Sequence, residues 1–228
     1  MKQILHFLRQ LEANNNRDWF MAHKDEYLQA QARFHEFTEQ LIARIGEYDP
    51  TVRGLTVKDC TYRIYRDVRF SKDKSPYKTH FGCYICREGK KSPYSGYYFH
   101  IGTGRGDGYP FTHMLASGDY ICDPKVLKII REDIVNGDGD FHQIVQNCSP
   151  VYQLDSDNAL RKVPKGFPTD SPWADYLKFK VYCLVTTVDD KFILGDNLAE
   201  RVAAMFQPTK PFLDYINRAV DYVREEDL

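Results

Sequence analysis

The residues of this sequence that could do chemistry are concentrated between positions 63 and 78. Five of them are basic and one is a carboxylate that could orient them: Arg63, Arg66, Asp67, Arg69, Lys74 and Lys78. In an extended chain Arg63, Asp67 and Arg69 point to the same side, so Asp67 can accept hydrogen bonds from either arginine. A guanidinium group held in this way matches the paired oxygens of a carboxylate or phosphate. The stretch therefore predicts an anion-binding site.

Groups that could transfer a proton occur beside this predicted site. Tyr77 supplies a hydroxyl, His80 an imidazole, and His100 lies on a strand predicted farther along the chain. Histidine titrates near neutral pH, which suits general acid–base catalysis. If the protein is an enzyme, the predicted catalytic residues are Tyr77 with His80 or His100, although a hydrogen-bonded structural imidazole explains each histidine more simply. A second basic loop, residues 161–167, adds Lys165 as a further candidate for the anion site.

The same charges allow other interpretations. Asp67 and Asp73 could neutralise the arginines in a structural ion-pair network, which is compatible with an anion site. Residues 58–91 contain ten basic and four acidic residues, so this sector is +6 in a chain whose formal net charge is −1. Because tyrosines and phenylalanines are interleaved with these charges, the sector also fits a nucleic-acid backbone. An acidic partner protein is a third possible ligand of the basic face.

Other motifs give no support for a metal or cofactor site. Cys83 and Cys86 have C-x-x-C spacing, but a zinc ribbon needs a second pair and this sequence has none. The glycine-rich segment 102–108 lacks the G-K-[ST] of a phosphate loop, which favours a flexible turn between two strands. No two histidines have the i, i+4 spacing of a zinc protease. We therefore predict no metal site, and the sequence identifies no cofactor.

The composition bounds the class of protein. The 228 residues are 43% hydrophobic and 28% charged, which excludes a disordered chain, a collagen and a small disulfide scaffold. No apolar run approaches the roughly 18 residues that a membrane span needs, and the apolar start is broken too early for a secretion signal. The six scattered cysteines are interpreted as reduced thiols. We expect a cytoplasmic protein without membrane contact, and the oligomeric state is left open.

The elements that position these residues follow from the periodicity of apolar side chains. Helical spacing predicts a first helix on Ile4, Leu8 and Leu11, and a longer one, kinked near His23, that ends at Asp49. Alternation predicts strands over residues 62–70, 81–87, 96–101, 111–116 and 179–188. A helix begins at Asp123, residues 149–175 are mostly loop, residues 189–190 form a hairpin turn, and two helices end the chain. The prediction is one α+β domain over residues 1–228, with a mainly antiparallel sheet flanked by N-terminal and C-terminal helices.

The stretch from Arg63 to His80 resembles a widespread bacterial family of about this length, which also occurs within longer fungal proteins. The family signature is R-x-x-R-D-x-R-F, then [DN]-K, then Y. The residues that fill it here are Arg63, Arg66, Asp67, Arg69, Phe70, Asp73, Lys74 and Tyr77. Flanking segments at residues 15–17, 19–20, 164–167 and 210–212 are also similar, so the resemblance covers essentially the whole chain. The family has no assigned function, and the resemblance therefore implies no reaction.

The sequence thus predicts a pocket protein, with enzyme activity left open, that binds a phosphorylated or carboxylated small molecule. The arginines and lysines of residues 63–78 would hold the anion, and Tyr77 with His80 or His100 would perform any proton transfer. A nucleic-acid-binding module that uses the basic sector is the alternative.

Overall fold

The computed structural model describes residues 1–104, 112–119, 121–148, 150–157 and 159–226, and shows a mixed α and β architecture. Five strands form one sheet in the order β1-β2-β3-β5-β4. Their bounds are β1 (His80–Ile85), β2 (Gly96–Gly102), β3 (His113–Gly118), β4 (Gln153–Leu154) and β5 (Cys183–Thr187). The sheet is antiparallel, as the pairing of Gln153 with Val185 illustrates. The predicted α+β class with a mainly antiparallel sheet is confirmed.

Helices come before, between and after the strands in the chain. Their bounds are α1 (Lys2–Ala13), α2 (Arg17–Ala22), α3 (Lys24–Tyr48), α4 (Val57–Cys60), α5 (Pro124–Asn136), α6 (Asp140–Cys148), α7 (Asp190–Leu194), α8 (Leu198–Phe206) and α9 (Lys210–Glu226). The side chains of Ile4, Leu8 and Leu11 are buried, as the helical spacing of α1 predicts. Asp49 is the C-cap of α3 and is already extended, because the residue before a proline avoids the helical conformation. No helix within the described ranges is both long and apolar enough to cross a membrane.

The chain is divided into two compact units, each assembled from three separate segments. Unit 1 contains Met1–Lys91, Tyr98–Leu115 and Thr187–Met205, and unit 2 contains Ser92–Tyr97, Ala116–Thr186 and Phe206–Leu228. The core of unit 1 includes two ring contacts from α3, Phe34 with Phe81 at 5.3 Å and Phe37 with Phe99 at 4.7 Å. The core of unit 2 is built around Phe141, whose ring lies 5.1–5.8 Å from four others: Tyr176, Tyr182, Phe212 and Tyr215. A single domain over the whole chain stays a prediction.

Two local predictions are wrong. The stretch 62–70 is not a regular strand: it has one isolated bridge, Tyr65 with Tyr77, and one backbone hydrogen bond to β1, from Tyr62 to Gly82. The predicted hairpin turn at 189–190 is the start of α7, because the Asp189 side chain accepts the Phe192 N–H at 2.8 Å and caps the helix.

The glycine-rich turn falls mostly on residues 105–108, which lie outside the described residues. All six cysteines are free thiols.

Candidate functional site

The predicted anion-binding residues lie on an irregular hairpin in unit 1, which we call the arm (residues 61–79). Its two halves run antiparallel. Two backbone hydrogen bonds join the halves, Lys78 to Ile64 at 2.8 Å and Arg66 to Pro76 at 3.0 Å. A third, from Tyr62 to Gly82 at 3.2 Å, joins the arm to β1. Residues 67–75 form the tip between the two halves. The arm therefore gathers six residues predicted from sequence: Arg63, Arg66, Asp67, Arg69, Lys74 and Lys78.

Local hydrogen bonds at the tip explain why the predicted strand does not run to residue 70. Asp67 accepts the Arg69 N–H at 3.3 Å, and Asp73 accepts the Ser75 N–H at 2.9 Å. Each carboxylate thus captures the amide two residues ahead of it, which competes with extended pairing. The Lys74 ammonium group donates to the Val68 carbonyl at 2.9 Å and closes the turn.

Two of the signature arginines are bound by carboxylates of the arm itself. Arg66 donates to Asp73, and its side chain is only 14% exposed. Arg69 donates from Nε and Nη2 to the two oxygens of Asp67, at 2.9 and 2.6 Å, and stays 76% exposed. The hydrogen bonds from Arg69 lower the pKa of Asp67 to about 2, and those from Ser75, followed by Arg66, lower the pKa of Asp73. These pairs have the geometry of the ion-pair network that the sequence also allows.

The rest of the arm presents cations and aromatic rings at the surface. Tyr62, Tyr65 and Phe70 are exposed, and Phe70 is 95% exposed. The Lys78 ammonium group lies 5.5 Å from the centre of the Tyr62 ring, and the Arg69 guanidinium carbon lies 5.9 Å from that of Phe70. Between residues 62 and 78 there are six cations and two carboxylates. The arm therefore has an excess of positive charge beside exposed π-faces.

Tyr77 anchors the arm. Its side chain is buried, and its ring stacks on Phe20 with centroids 3.9 Å apart and planes inclined by 13°. The Asn15 side chain accepts the Tyr77 N–H at 3.2 Å and donates to the Tyr77 carbonyl at 2.9 Å. Burial raises the pKa of Tyr77. The geometry gives Tyr77 a structural role, and its part in proton transfer stays a prediction.

Three buried histidines follow the arm on neighbouring strands. His80 begins β1, His100 lies on β2 and His113 begins β3. The rings of His80 and His100 stack at 4.3 Å, and the Tyr98 hydroxyl lies 3.1 Å from Nδ1 of His100. Burial holds the pKa of His100 well below its usual value, and the nearby charges of His80, His113 and Lys78 lower it further. The structure thus brings together His80 and His100, which were predicted as alternatives.

His113 and its partners were not found from the sequence. Nε2 of His113 lies 2.9 Å from Asp190 Oδ1, and Arg9 donates to the other carboxylate oxygen at 2.6 Å. The Gly102 N–H approaches Nδ1 of His113 at 3.4 Å. The main acceptor of that N–H is the Thr112 carbonyl, at 2.7 Å. Because the ionised Asp190 carboxylate can only accept, the proton between the two side chains sits on Nε2 of His113. A carboxylate that fixes the tautomer of an imidazole is also how general bases are oriented. His113 and Asp190 are 77 residues apart, so no spacing rule reveals the pair.

Two further predictions concern residues away from the arm. Lys165 is exposed and belongs to unit 2, and its contribution to the anion site stays a prediction. Within the described ranges, no group of three or more histidine, cysteine, aspartate or glutamate side chains is arranged to hold a metal ion.

The burial of His100 makes stability sensitive to mild acid. In the unfolded chain its pKa is about 6.5, whereas in the folded protein it is well below that. Below pH 6.5 the unfolded state therefore takes up a proton that the folded state does not. We expect the free energy of unfolding to fall as the pH drops from 7 to 5, with a slope of up to about 1.4 kcal/mol per pH unit from this group. Urea unfolding at a series of pH values measures it.

Two variants divide the pH slope between the histidines that contribute to it: His100→Asn removes the contribution of His100, and His35→Gln removes that of His35. Burial also lowers the pKa of His35, so this histidine contributes to the slope in the same direction. Asp67 and Asp73 titrate below this window. The His100→Asn variant is expected to lose most of the slope, and a slope equal to that of the wild type would contradict the prediction.

The chain belongs to the family described as conserved hypothetical protein (DUF2461), whose model matches residues 3–215. Searches of curated proteins and of solved structures gave no match. The predicted membership of a family of unknown function is therefore confirmed, and family membership assigns no reaction.

Proposed function

We propose that this protein binds single-stranded nucleic acid through the arm. The observation that carries the proposal is the exposure of three aromatic rings among the arm's excess of cations. A 95% exposed phenylalanine contributes almost nothing to the packing of the protein's own core. Such a ring can instead stack on a base, and the adjacent cations can contact the phosphates on either side.

The geometry fits an extended anion better than a single small one. Arg66 and Arg69 already direct guanidinium donors at carboxylates of the arm, so a small oxyanion would have to displace Asp73 or Asp67 from them. The cations of the arm are spread over its length, and Arg63, Lys72 and Lys74 are exposed. A strand of phosphates can contact several of these groups at once without displacing any pair.

The test is fluorescence anisotropy with labelled dT12 and rU12 at increasing salt. We expect Phe70→Ala to weaken binding roughly 5- to 150-fold, since stacking on one base contributes about 1–3 kcal/mol. Lys72→Gln is expected to weaken binding and to reduce the slope of log K against log salt by about 0.7, the value for one phosphate of a single strand.

Matched controls separate the arm from the rest of the surface. Tyr222→Ala removes a ring that is 49% exposed in unit 2, and Lys128→Gln removes an exposed lysine of α5. Both controls should bind like the wild type. The proposal fails if the wild type does not bind either oligonucleotide at low salt, or if Tyr222→Ala weakens binding as much as Phe70→Ala.

A phosphorylated or carboxylated small molecule is the second candidate ligand. The observation that favours it is the stacking of His80 on His100 at 4.3 Å, directly after the basic arm, where the charge of Lys78 contributes to the lowered pKa of His100. A cation beside an imidazole pair is an arrangement that an enzyme could use on an anionic substrate. Calorimetric titration with inorganic pyrophosphate tests it. Pyrophosphate binding that Lys78→Gln abolishes, without oligonucleotide binding, would favour this candidate.

We further propose a cytoplasmic location. It is supported by the six free cysteines, since thiols persist in reducing compartments. Extraction of the native protein and alkylation of its thiols before and after reduction would test the assignment.

A further inference from the structure

Unit 2 contains an arginine in an unusual environment. Helix α5 directs an apolar face inward, with Val126, Ile130 and Ile134 buried. Arg131 is also buried and only 9% exposed. Arginine is almost never buried to this extent unless its charge is paired. The next question is therefore which groups pair with Arg131 and whether they balance its positive charge.

All the partners of Arg131 among the described residues are neutral. Its Nη2 donates to the Phe179 carbonyl at 2.9 Å, it forms a hydrogen bond with the Tyr182 hydroxyl, and its guanidinium carbon lies 5.9 Å from the centre of the Phe167 ring. Its Nε is buried without a hydrogen-bond partner. No carboxylate in the described part of the chain pairs with it. A buried cation with an unsatisfied donor is costly unless something else supplies the charge.

Two acidic side chains near Cys122 accept hydrogen bonds from backbone amides of their own segment. Asp119 and Asp123, like Arg131, influence the pKa of the Cys122 thiol. Asp119 accepts the Ile121 N–H at 2.9 Å, and Asp123 caps α5 by accepting the Lys125 N–H at 2.7 Å. Neither carboxylate is within ion-pair distance of Arg131, so the missing negative charge does not come from them.

The loop that contacts Arg131 adds positive charge. Phe167 ends the segment 161–167, whose Arg161, Lys162 and Lys165 are exposed. The Phe167 N–H donates to the Pro164 carbonyl at 3.3 Å, which folds the segment into a turn beside the guanidinium group. An anion that approached Arg131 along this loop would meet cations before it reached the buried donor.

We propose that unit 2 binds a small oxyanion, the carboxylate or phosphate group of a ligand, against the guanidinium group of Arg131. The unpartnered Nε–H donates to one oxygen, and the negative charge compensates the buried cation. Arginine is suited to this because its planar fork can bind two oxygens of one group. The site lies in a different unit from the arm and does not depend on nucleic-acid binding.

The experiment is thermal unfolding of the full chain in inorganic phosphate, compared with sodium chloride of equal ionic strength and with acetate. We expect a saturable rise in Tm of about 3–6 °C at ten times the Kd, beyond any effect of chloride. Arg131→Met should abolish the rise. In buffer without oxyanions this variant should be at least as stable as the wild type, because it no longer buries an uncompensated charge. A larger response to acetate than to phosphate would identify a carboxylate ligand.

Arg218→Gln is the control, since it removes an exposed arginine of unit 2 that pairs with Asp133. It should keep the full response to phosphate. The proposal is overturned if phosphate raises the Tm of the wild type no more than chloride does, a result that does not depend on any variant folding. It is also overturned if Arg131→Met responds to phosphate like the wild type. Arg131→Met should still bind oligonucleotides, which separates this proposal from the one for the arm.

Discussion

Replacing Tyr77 by alanine is expected to lower the free energy of unfolding by about 3–5 kcal/mol, the range for removing a buried aromatic side chain. The ring is buried and lies flat against Phe20, with centroids 3.9 Å apart. Its removal leaves a cavity bordered by Phe20 and Tyr65, whose ring centroid is 5.4 Å from that of Tyr77. Urea unfolding followed by circular dichroism measures the loss.

Tyr77→Phe is the matched variant. It keeps the ring and its stacking and removes only the hydroxyl, so we expect a change of less than about 1 kcal/mol. Equal losses in Tyr77→Ala and Tyr77→Phe would contradict the role of the ring as the anchor. The same variant examines the predicted proton transfer, because a reaction that needs the Tyr77 hydroxyl would be lost in a protein that is still folded.

The helices of this protein were largely predictable because their information is local. The apolar residues of α1 and α3 repeat at helical spacing, and the corresponding side chains are buried. Asp49, before Pro50, ends α3 as predicted. The short helix α7 was missed because five residues are too few to show a period, and its start depends on one capping aspartate.

The arm shows where local pattern misleads. Alternation over residues 62–70 predicts a strand, and Ile64 is indeed buried. Phe70, on the same predicted face, is almost fully exposed. The alternation fails at the tip because Asp67 and Asp73 bind backbone amides and guanidinium groups within the arm. At the tip, side-chain hydrogen bonds determine the backbone conformation, and a hydrophobic pattern does not represent them.

The candidate site was predictable in its residue types and not in its assembly. The basic stretch was evident from charge alone. The stacking of His80 on His100 depends on the register of β1 and β2, and the contact of His113 with Asp190 depends on where α7 begins. Neither register nor helix start was encoded in a short motif. Asn15 lies 62 residues before Tyr77, so its hydrogen bond to the Tyr77 carbonyl could not be predicted from a short motif either.

The pairing of β3 with β5 also depends on a glycine that a hydrophobic pattern does not reveal. Gly118 ends β3 with φ of +141°, and a Cβ built on it would lie 2.2 Å from the Tyr182 carbonyl oxygen and 2.7 Å from Cys183 Cα. Both atoms belong to backbone, and the same carbonyl accepts the Asp119 N–H at 3.1 Å. Unlike the end of a flexible side chain, they cannot move aside without disturbing the pairing.

Gly118→Ala is therefore expected to lower the free energy of unfolding by about 2–5 kcal/mol, through overpacking together with an unfavourable φ. Gly166→Ala separates the two causes, since Gly166 has φ of +97° but no atom within 4 Å of the added Cβ. That control should lose only about 1–2 kcal/mol, the cost of a left-handed conformation in a residue with a side chain. Urea unfolding of both variants measures the difference. Equal losses would show that conformation alone, and not the close approach of the two backbones, makes glycine necessary at position 118.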